Sequence, residues 1–324
     1  MDQIIFINPP MHVKKNDTYT TGIVFMPFVL AEAVGIANFF KIENRVLDCF
    51  GENPKKTNLN SELNDIIIGI SEKEIVRNLK KFSKNKNTLF VIFANHMSNH
   101  WSVKNLCKIC KSFDGKNQIM LLENSEAVTS YSIRSVLHEF QNLGVTYFCD
   151  YDVEENFVKF IKNNFNIKEI FKMKFKYKGD VLEDSSNTKS YVPSWEAFPL
   201  KNYWGLNFGH GPVSSSKYLP LLTSKGCPYP CQFCVMPELS QRRWRYRSPK
   251  DIFLEIEYWY NKLGVSEFHV EDTNPTINVQ RLQKLSKLIY LSKLKNKISW
   301  KIVSGTKLET IKTQEILKDM KQGG

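Results

Sequence analysis

A chain of 324 residues, 42% hydrophobic and 13% aromatic, is long enough for about two domains and too apolar to be intrinsically disordered. No apolar run reaches the roughly 18 residues of a membrane span, and MDQIIFINPP has neither the basic start nor the cleavage pattern of a secretory signal, so the sequence reads as cytoplasmic, with reduced thiols. The formal charge of +12 raises a nucleic-acid partner, but the lysines are scattered as on solvent-facing helix positions. Only RRWRYR (242–247) is dense in bases and aromatics, and it reads as packing or as a contact to an anionic ligand rather than to RNA.

IIFINPP (4–10) predicts a buried strand ended by prolines, FVLAEAVGIANFF (28–40) a buried helix and RVLDCF (45–50) a short strand. The polar, lysine-rich stretch 55–85, around NDIIIGI (64–70), predicts only a connecting helix or a short strand. NTLFVIFAN (87–95) is continuously apolar, as a strand buried on both faces must be. A helix over 102–113, a strand over 118–124, a helix over 132–144 ended by Gly144, a strand over 145–150 and a helix over 154–165 complete the first region. Strands alternating with helices predict a doubly wound, mostly parallel α/β sheet. Ligands of such sheets lie beyond the carboxyl ends of the strands, which singles out Asn8, Pro9, Pro10, Asn95, His96, Glu123 and Asn124.

Residues 171–220 break the pattern. KMKFKYKGD (172–180) could form a hairpin, DSSNTKS (184–190) is polar, and PSWEAFPLKNYW (193–204) reads as a linker packed against both of its neighbours. From 219 a second α/β region starts, with a strand running into a cysteine loop. A helix over 248–264 starts at Ser248–Pro249 and ends at Gly264, followed by a strand over 266–272, a helix over 278–294, a strand over 299–305 and a helix over 313–322. The expected division is an α/β domain over 1–170, a linker over 171–220, and three βα units over 221–324.

Chemistry concentrates in SKGCPYPCQFC (224–234). Cys227, Cys231 and Cys234 are three thiols within eight residues. Zinc normally takes four protein ligands in paired spacings, and no partner pair lies nearby. Closely spaced thiolates in one loop suit an iron–sulfur cluster, and three ligands leave one iron of a 4Fe–4S cube open. Three unrelated cysteines, or a zinc site completed from afar, are the alternatives. Elsewhere, Cys107 and Cys110 read as helix packing rather than as a metal pair. Cys49 and Cys149 read as inert, and His96 and His100 as local hydrogen-bonding groups.

The cysteine loop resembles that of the radical S-adenosylmethionine (SAM) superfamily. INPP, PSWEAFPLKNYW, WRYRSPKDIFLEIEYWYNKLGVSEFHVEDTNPT and SGTKLET resemble the members of it that carry a cobalamin-binding domain. The resemblance implies a doubly wound Rossmann-like first domain and a partial radical SAM (β/α) barrel. It also implies a 4Fe–4S cluster on Cys227, Cys231 and Cys234, with SAM chelating the open iron and cleaved to a deoxyadenosyl radical. Phe233 matches the position beside the adenine, Glu271 and Asp272 the acidic position near the SAM amino group, and Ser304 a polar contact to ribose or carboxylate. Without the resemblance, Glu271 and Asp272 read as a helix N-cap and acidic first turn. Cobalamin would lie across the carboxyl ends of the first sheet, at the residues singled out above. The implied reaction is methyl transfer to an unactivated carbon or phosphorus centre of a small molecule, with electrons from a donor such as flavodoxin or ferredoxin.

The sequence also departs from the family. There is no Asp-x-His-x-x-Gly, LLENSEA (121–127) stands where a Gly-Gly turn is usual, and CDYDVEE (149–155) lacks glycine. These departures raise the alternative of rearrangement, oxidation or cyclisation without methylation, with methyl transfer still the leading reading. About six βα units make the family's barrel. Three here imply either completion by further sequence or a second chain, or an incomplete chain acting only as a binding module.

Overall fold

The computed structural model describes residues 1–14, 24–60, 64–113, 115–124, 133, 136–150, 153–165 and 191–324. The expected hairpin at 172–180 and the polar stretch at 184–190 lie outside them.

The first sheet holds five parallel strands in the order β3-β1-β6-β7-β8: β1 (Gln3–Asn8), β3 (Asn44–Asp48), β6 (Thr88–Ala94), β7 (Gln118–Glu123) and β8 (Tyr147–Cys149). Every residue of β1 and β6 is buried, because helices cover both faces. Side chains alternate across a strand, so Ile4 and Phe6 pack with α1 (Phe28–Phe39) and α5 (Val153–Lys162). Ile5 and Ile7 pack instead with α2 (Glu72–Ser83), α3 (His100–Lys111) and α4 (Leu137–Gln141). This is a doubly wound α/β sheet, with its switch point between β1 and β6.

Beside it lies a small antiparallel sheet, β2 (Met11–Val13), β5 (Asp65–Ile68) and β4 (Thr57–Asn60). The single helix or strand expected over 55–85 is therefore two strands followed by α2, which Ser71 and Glu74 start with a reciprocal capping box. The helix expected over 132–144 is shorter: among the described residues it spans only α4, and Gly144 follows it with φ +85°.

The linker stretch folds as α6 (Leu200–Trp204) after a single 3-10 turn. Trp195 is fully buried against Phe28. Tyr203 donates its hydroxyl to Asp48 (2.7 Å), and Trp204 donates its ring N–H to the Tyr218 carbonyl (2.8 Å). The same apolar core runs from α1 to the second sheet.

The second sheet is parallel, in the order β13-β12-β9: β9 (Tyr218–Leu221), β12 (Glu267–Val270) and β13 (Ser299–Ile302). Helices α8 (Pro249–Leu263) and α9 (Val279–Tyr290) connect its strands, and α10 (Gln314–Gln322) follows. Ser248 caps α8 by accepting the Asp251 N–H, and Gly264 closes it at φ +68°, a left-handed turn that glycine takes without strain. Between β9 and α8, β10 (Ser224–Gly226) and β11 (Trp244–Tyr246) form an antiparallel ribbon, with α7 (Met236–Leu239) inside its loop. No helix among the described residues is long and apolar enough to cross a membrane.

Candidate active site

The cysteine loop hangs from the carboxyl end of β9, and its base is fixed by a buried polar clamp. Asp272, just past β12, accepts the Thr223 N–H (2.7 Å), the Thr223 hydroxyl (2.5 Å) and the Ser224 hydroxyl. Arg281 of α9 donates to the Thr223 carbonyl (2.6 Å), Thr223 Oγ1 (3.1 Å) and the Pro275 carbonyl (3.1 Å). Burial pushes the Asp272 carboxyl up, and Arg281 and the two hydroxyls oppose that. Arg247 closes the other side, donating to the Leu222 carbonyl (2.9 Å) while paired with Asp251 and Glu255. Trp244 is fully buried, and the Arg281 guanidinium lies 5.8 Å from its ring. The basic-aromatic stretch 242–247 thus packs the loop's base.

Gly226 turns the chain into the loop at φ +79°, where a Cβ would sit 2.2 Å from the Arg243 carbonyl oxygen. Only glycine fits there. Cys227 follows, buried beside Met236 and Leu239, with Tyr229 and Cys234 against the same cluster. The Cys227 N–H donates to Ser240 Oγ (3.4 Å), and the Met236 N–H to Cys234 Sγ (3.4 Å). Cys231 is exposed, and Phe233 is 94% exposed.

Burial pushes the Cys227 thiol up, and the neighbouring Cys234 and Cys231 add to it. Among the described residues no three Cys, His, Asp or Glu side chains are already gathered to hold a metal. The donor set, three sulfurs with no carboxylate or imidazole between them, nonetheless fits an iron–sulfur cluster. Two of its members are held on one apolar cluster, and the third, Cys231, is exposed.

Glu271 and Asp272 diverge, and neither caps a helix: Asn278 caps α9. Asp272 is saturated by the clamp. Glu271 instead meets His210 Nδ1 (2.5 Å) and Ser304 Oγ (3.4 Å). Burial pushes its carboxyl up, opposed by His210. One further residue carries no signal in the sequence. Lys225, buried one residue before Gly226, reaches Glu32 of α1 (2.9 Å) and Glu154 of α5 (3.3 Å) and so ties the cysteine loop to the first sheet. It acts through partners distant in sequence, so no local pattern marks it.

At the first sheet's carboxyl edge, three of the residues singled out from sequence meet. Asn95 donates to Asn8 Oδ1 (3.3 Å), and Asn124 donates to the Asn95 carbonyl (2.8 Å). Asn99 extends the chain, donating to Asn95 Oδ1 (2.9 Å) and accepting the His12 N–H (2.7 Å). Pro9 and Pro10 follow β1 and are buried. Glu123 is buried and accepts the Ile133 N–H (3.3 Å), and His96 bonds Ser98. His96 and His100 do not pair, since His100 faces Glu139 (3.4 Å). Asp48 is fully buried at the end of β3, and burial raises it to about 6 despite hydrogen bonds from Tyr203, Asn8 and Gly51. Cys49, Cys107, Cys110 and Cys149 are all buried, and burial raises Cys107 to about 12.

No protein-family model matches the chain. It is 30% identical over 136 residues to the anaerobic magnesium-protoporphyrin IX monomethyl ester cyclase of Cereibacter sphaeroides, covering 42% of this chain and 21% of that protein. It is 28% identical over 94 residues to the cytidylyl-2-hydroxyethylphosphonate methyltransferase of Streptomyces wedmorensis, covering 29% of this chain and 18% of that one. Among solved structures, the radical S-adenosylmethionine methyltransferase TsrM from Kitasatospora setae, with tryptophan and a SAM analogue bound, superposes with a TM-score of 0.63 at 12% identity. That match covers 99% of this chain and 57% of the other. The matches thus span about a fifth of the two curated relatives. The chain is thus similar in sequence to parts of a cyclase and a methyltransferase, and in fold to a radical SAM methyltransferase.

Proposed function

We propose that this chain carries the cluster-binding part of a radical SAM enzyme of methyltransferase-like kind, with a cobalamin-binding-type domain over 1–170, a linker over 171–220 and the first part of the barrel over 221–324. Cys227, Cys231 and Cys234 hold a 4Fe–4S cluster that leaves one iron for SAM. When bound, the cluster and SAM supply one-electron reductive cleavage of a sulfonium, and cobalamin supplies a methyl carrier. The protein's own residues do the positioning. Gly226 and the Asp272–Thr223–Arg281 clamp aim the loop. Glu271, oriented by His210 and Ser304, offers a carboxylate to the SAM ammonium, and exposed Phe233 offers a ring face to the adenine. Asp272 serves the clamp rather than the ligand. Asn8, Pro9, Pro10, Asn95, His96, Glu123 and Asn124 form the edge at which cobalamin would lie. The substrate is a small molecule, and a flavodoxin or ferredoxin supplies electrons.

The observation that carries this reading is the loop's construction: three thiols, entered through a turn that only glycine can make, at the carboxyl end of a parallel β/α sheet. Its test is anaerobic reconstitution with iron and sulfide, followed by SAM, a reductant and a cobalamin. A cluster that depends on all three cysteines, and release of 5′-deoxyadenosine, are expected. Failure to assemble a cluster on the intact loop would sink it. S-adenosylhomocysteine formed together with deoxyadenosine marks methyl transfer. Deoxyadenosine alone marks the second reading, ring formation without methylation, which the relatives named as cyclases from Cereibacter and Synechocystis favour.

A further inference from the structure

Side chains alternate along β12, so Glu267 and His269 share one side of the second sheet. Glu271 continues that side, its N–H donating to the Leu221 carbonyl (3.0 Å). Phe268 and Val270 take the other side, in the core with α8 and α9. Buried polar groups need partners, and residues 208–215, ahead of β9, supply several of them. At the amino end, Glu267 Oε2 accepts the Ser214 N–H (2.7 Å), the Ser214 hydroxyl (2.6 Å) and the Ser215 N–H (2.7 Å). Lys301 pairs with Glu267 Oε1 (2.5 Å) and donates to the Pro212 carbonyl. At the carboxyl end, His210 meets Glu271. The segment is therefore strapped to β12 at both ends, by two carboxylates on one side of the strand.

The strap holds His210 closely. Gly209 and Gly211 form an isolated antiparallel bridge around it, with Gly211 at φ +90°. Tyr218 donates its hydroxyl to the Phe208 carbonyl (3.0 Å), and a Cβ on Gly209 would lie 2.9 Å from the Tyr218 ring. With the backbone fixed, the imidazole keeps only its two side-chain torsions. Its Nδ1 is taken by Glu271, and Phe25 meets its ring edge-to-face, with centroids 4.8 Å apart and planes at 64°. Phe25 lies just ahead of α1, in the region of the first sheet. His210 and Ser304 both bond Glu271 Oε2, which leaves Oε1 for the ammonium of a ligand.

We infer that Phe25 is a positioning residue for the SAM site, acting through His210: it keeps the imidazole on Glu271 Oε2 and so keeps Oε1 available. Without the ring of Phe25 the imidazole can turn away, and the carboxylate is then free to change rotamer. The inference rests on the proposed role of Glu271 towards SAM, and it makes that role depend on a residue of the other sheet's region.

Two substitutions separate the ring contact from packing. Phe25→Leu keeps apolar bulk and loses the aromatic edge, and Phe25→Tyr keeps that edge. SAM affinity is measured by equilibrium dialysis of labelled SAM against the anaerobically reconstituted chain. Phe25→Leu should weaken SAM about fivefold at unchanged cluster content, and Phe25→Tyr should bind it as the wild type does. His210→Ala should weaken SAM about tenfold or more. The double variant should be no weaker than His210→Ala alone, because one effect acts through the other. The change that SAM makes in the reduced cluster's paramagnetic signal should need correspondingly more SAM in each weakened variant. Should His210→Ala fail to hold a cluster, His210→Gln takes its place in the cycle. Wild-type affinity in Phe25→Leu, loss of its cluster, or an effect that adds fully to that of the His210 variant overturns the inference and leaves the proposed function intact. Wild-type protein that assembles no cluster, or holds a cluster without binding SAM, overturns both.

Discussion

The carboxyl ends of the two parallel sheets are built on opposite plans. At the first, Asn8, Asn95, Asn99 and Asn124 bond to one another, and Asp48 is sealed beneath Tyr203 from the linker. At the second, the clamp and the Glu271–His210–Ser304 contacts are satisfied in the same way, but the cysteine loop beyond them is not covered. It exposes Cys231 and Phe233, groups that gain nothing by facing water. An edge whose polar groups answer one another is stable without a ligand. Under the proposed function, the exposed thiol and ring are what the cluster and SAM would cover. The buried Lys225–Glu32–Glu154 group joins the two edges. Removing Lys225 would take from both carboxylates the cation they share.

The largest expected effect lies at the open edge. Cys231→Ser should abolish cluster assembly, read as loss of bound iron and of the reduced-state paramagnetic signal. Because Cys231 is exposed, the melting temperature of the cluster-free protein should stay within about 1 °C, since substitutions at such sites stay near ±0.5 kcal/mol. A cluster retained at wild-type content would remove Cys231 from the ligand set.

Next comes Gly226→Ala, which sets a Cβ against the Arg243 carbonyl in a left-handed turn. Strain and overlap together should cost roughly 4 kcal/mol, measured by urea unfolding. A loss under 1 kcal/mol would mean that the ribbon yields and does not aim the loop.

Two carboxylates sharpen the contrast through pH. Glu267 in β12 is fully buried. Burial pushes its pKa up, but Lys301, Ser214 and His269 overcome that and hold it at about 2, against an ordinary 4.5. Its contribution is present above pH 4.5 and lost as the pH falls towards 2. Glu267→Gln should remove about 3 kcal/mol at neutral pH together with that acid dependence. Asp48 runs the other way. Raised from 3.8 to about 6, it gives stability that is complete below 3.8 and lost as the pH rises through 6. Asp48→Asn should flatten that descent, worth a little under about 3 kcal/mol. Unfolding free energies measured between pH 3 and 7 would show both, and an unchanged slope in either variant would refute that assignment.

Strands buried on both faces must be apolar throughout, so β1 and β6 were readable as unbroken runs and the doubly wound first sheet followed from their alternation with helices. Helix α8 was readable because Ser248 and Gly264 punctuate it locally. Of the small sheet of β2, β4 and β5, only β5 was offered, as one of two options around 64–70, since strands of three or four residues with mixed polar faces leave no periodicity to detect. The cysteine spacing was legible for the same local reason as the helix caps. What separates Glu271 from Asp272 was not. Adjacent in sequence, they point to His210 and to Thr223, and only the meeting of the linker loop with the end of β9 decides which partner each of them takes.

By itself the sequence determined what is local or periodic: the α/β class, the order of the main strands, and three thiols in one loop. Tertiary structure alone decided the partners. His210 meets Glu271 across 61 residues, and Lys225 meets Glu32 across 193. Such contacts depend on where two sheets come to rest against a shared apolar core. That placement is set by the sum of packing over many residues and is written in no single stretch of the chain.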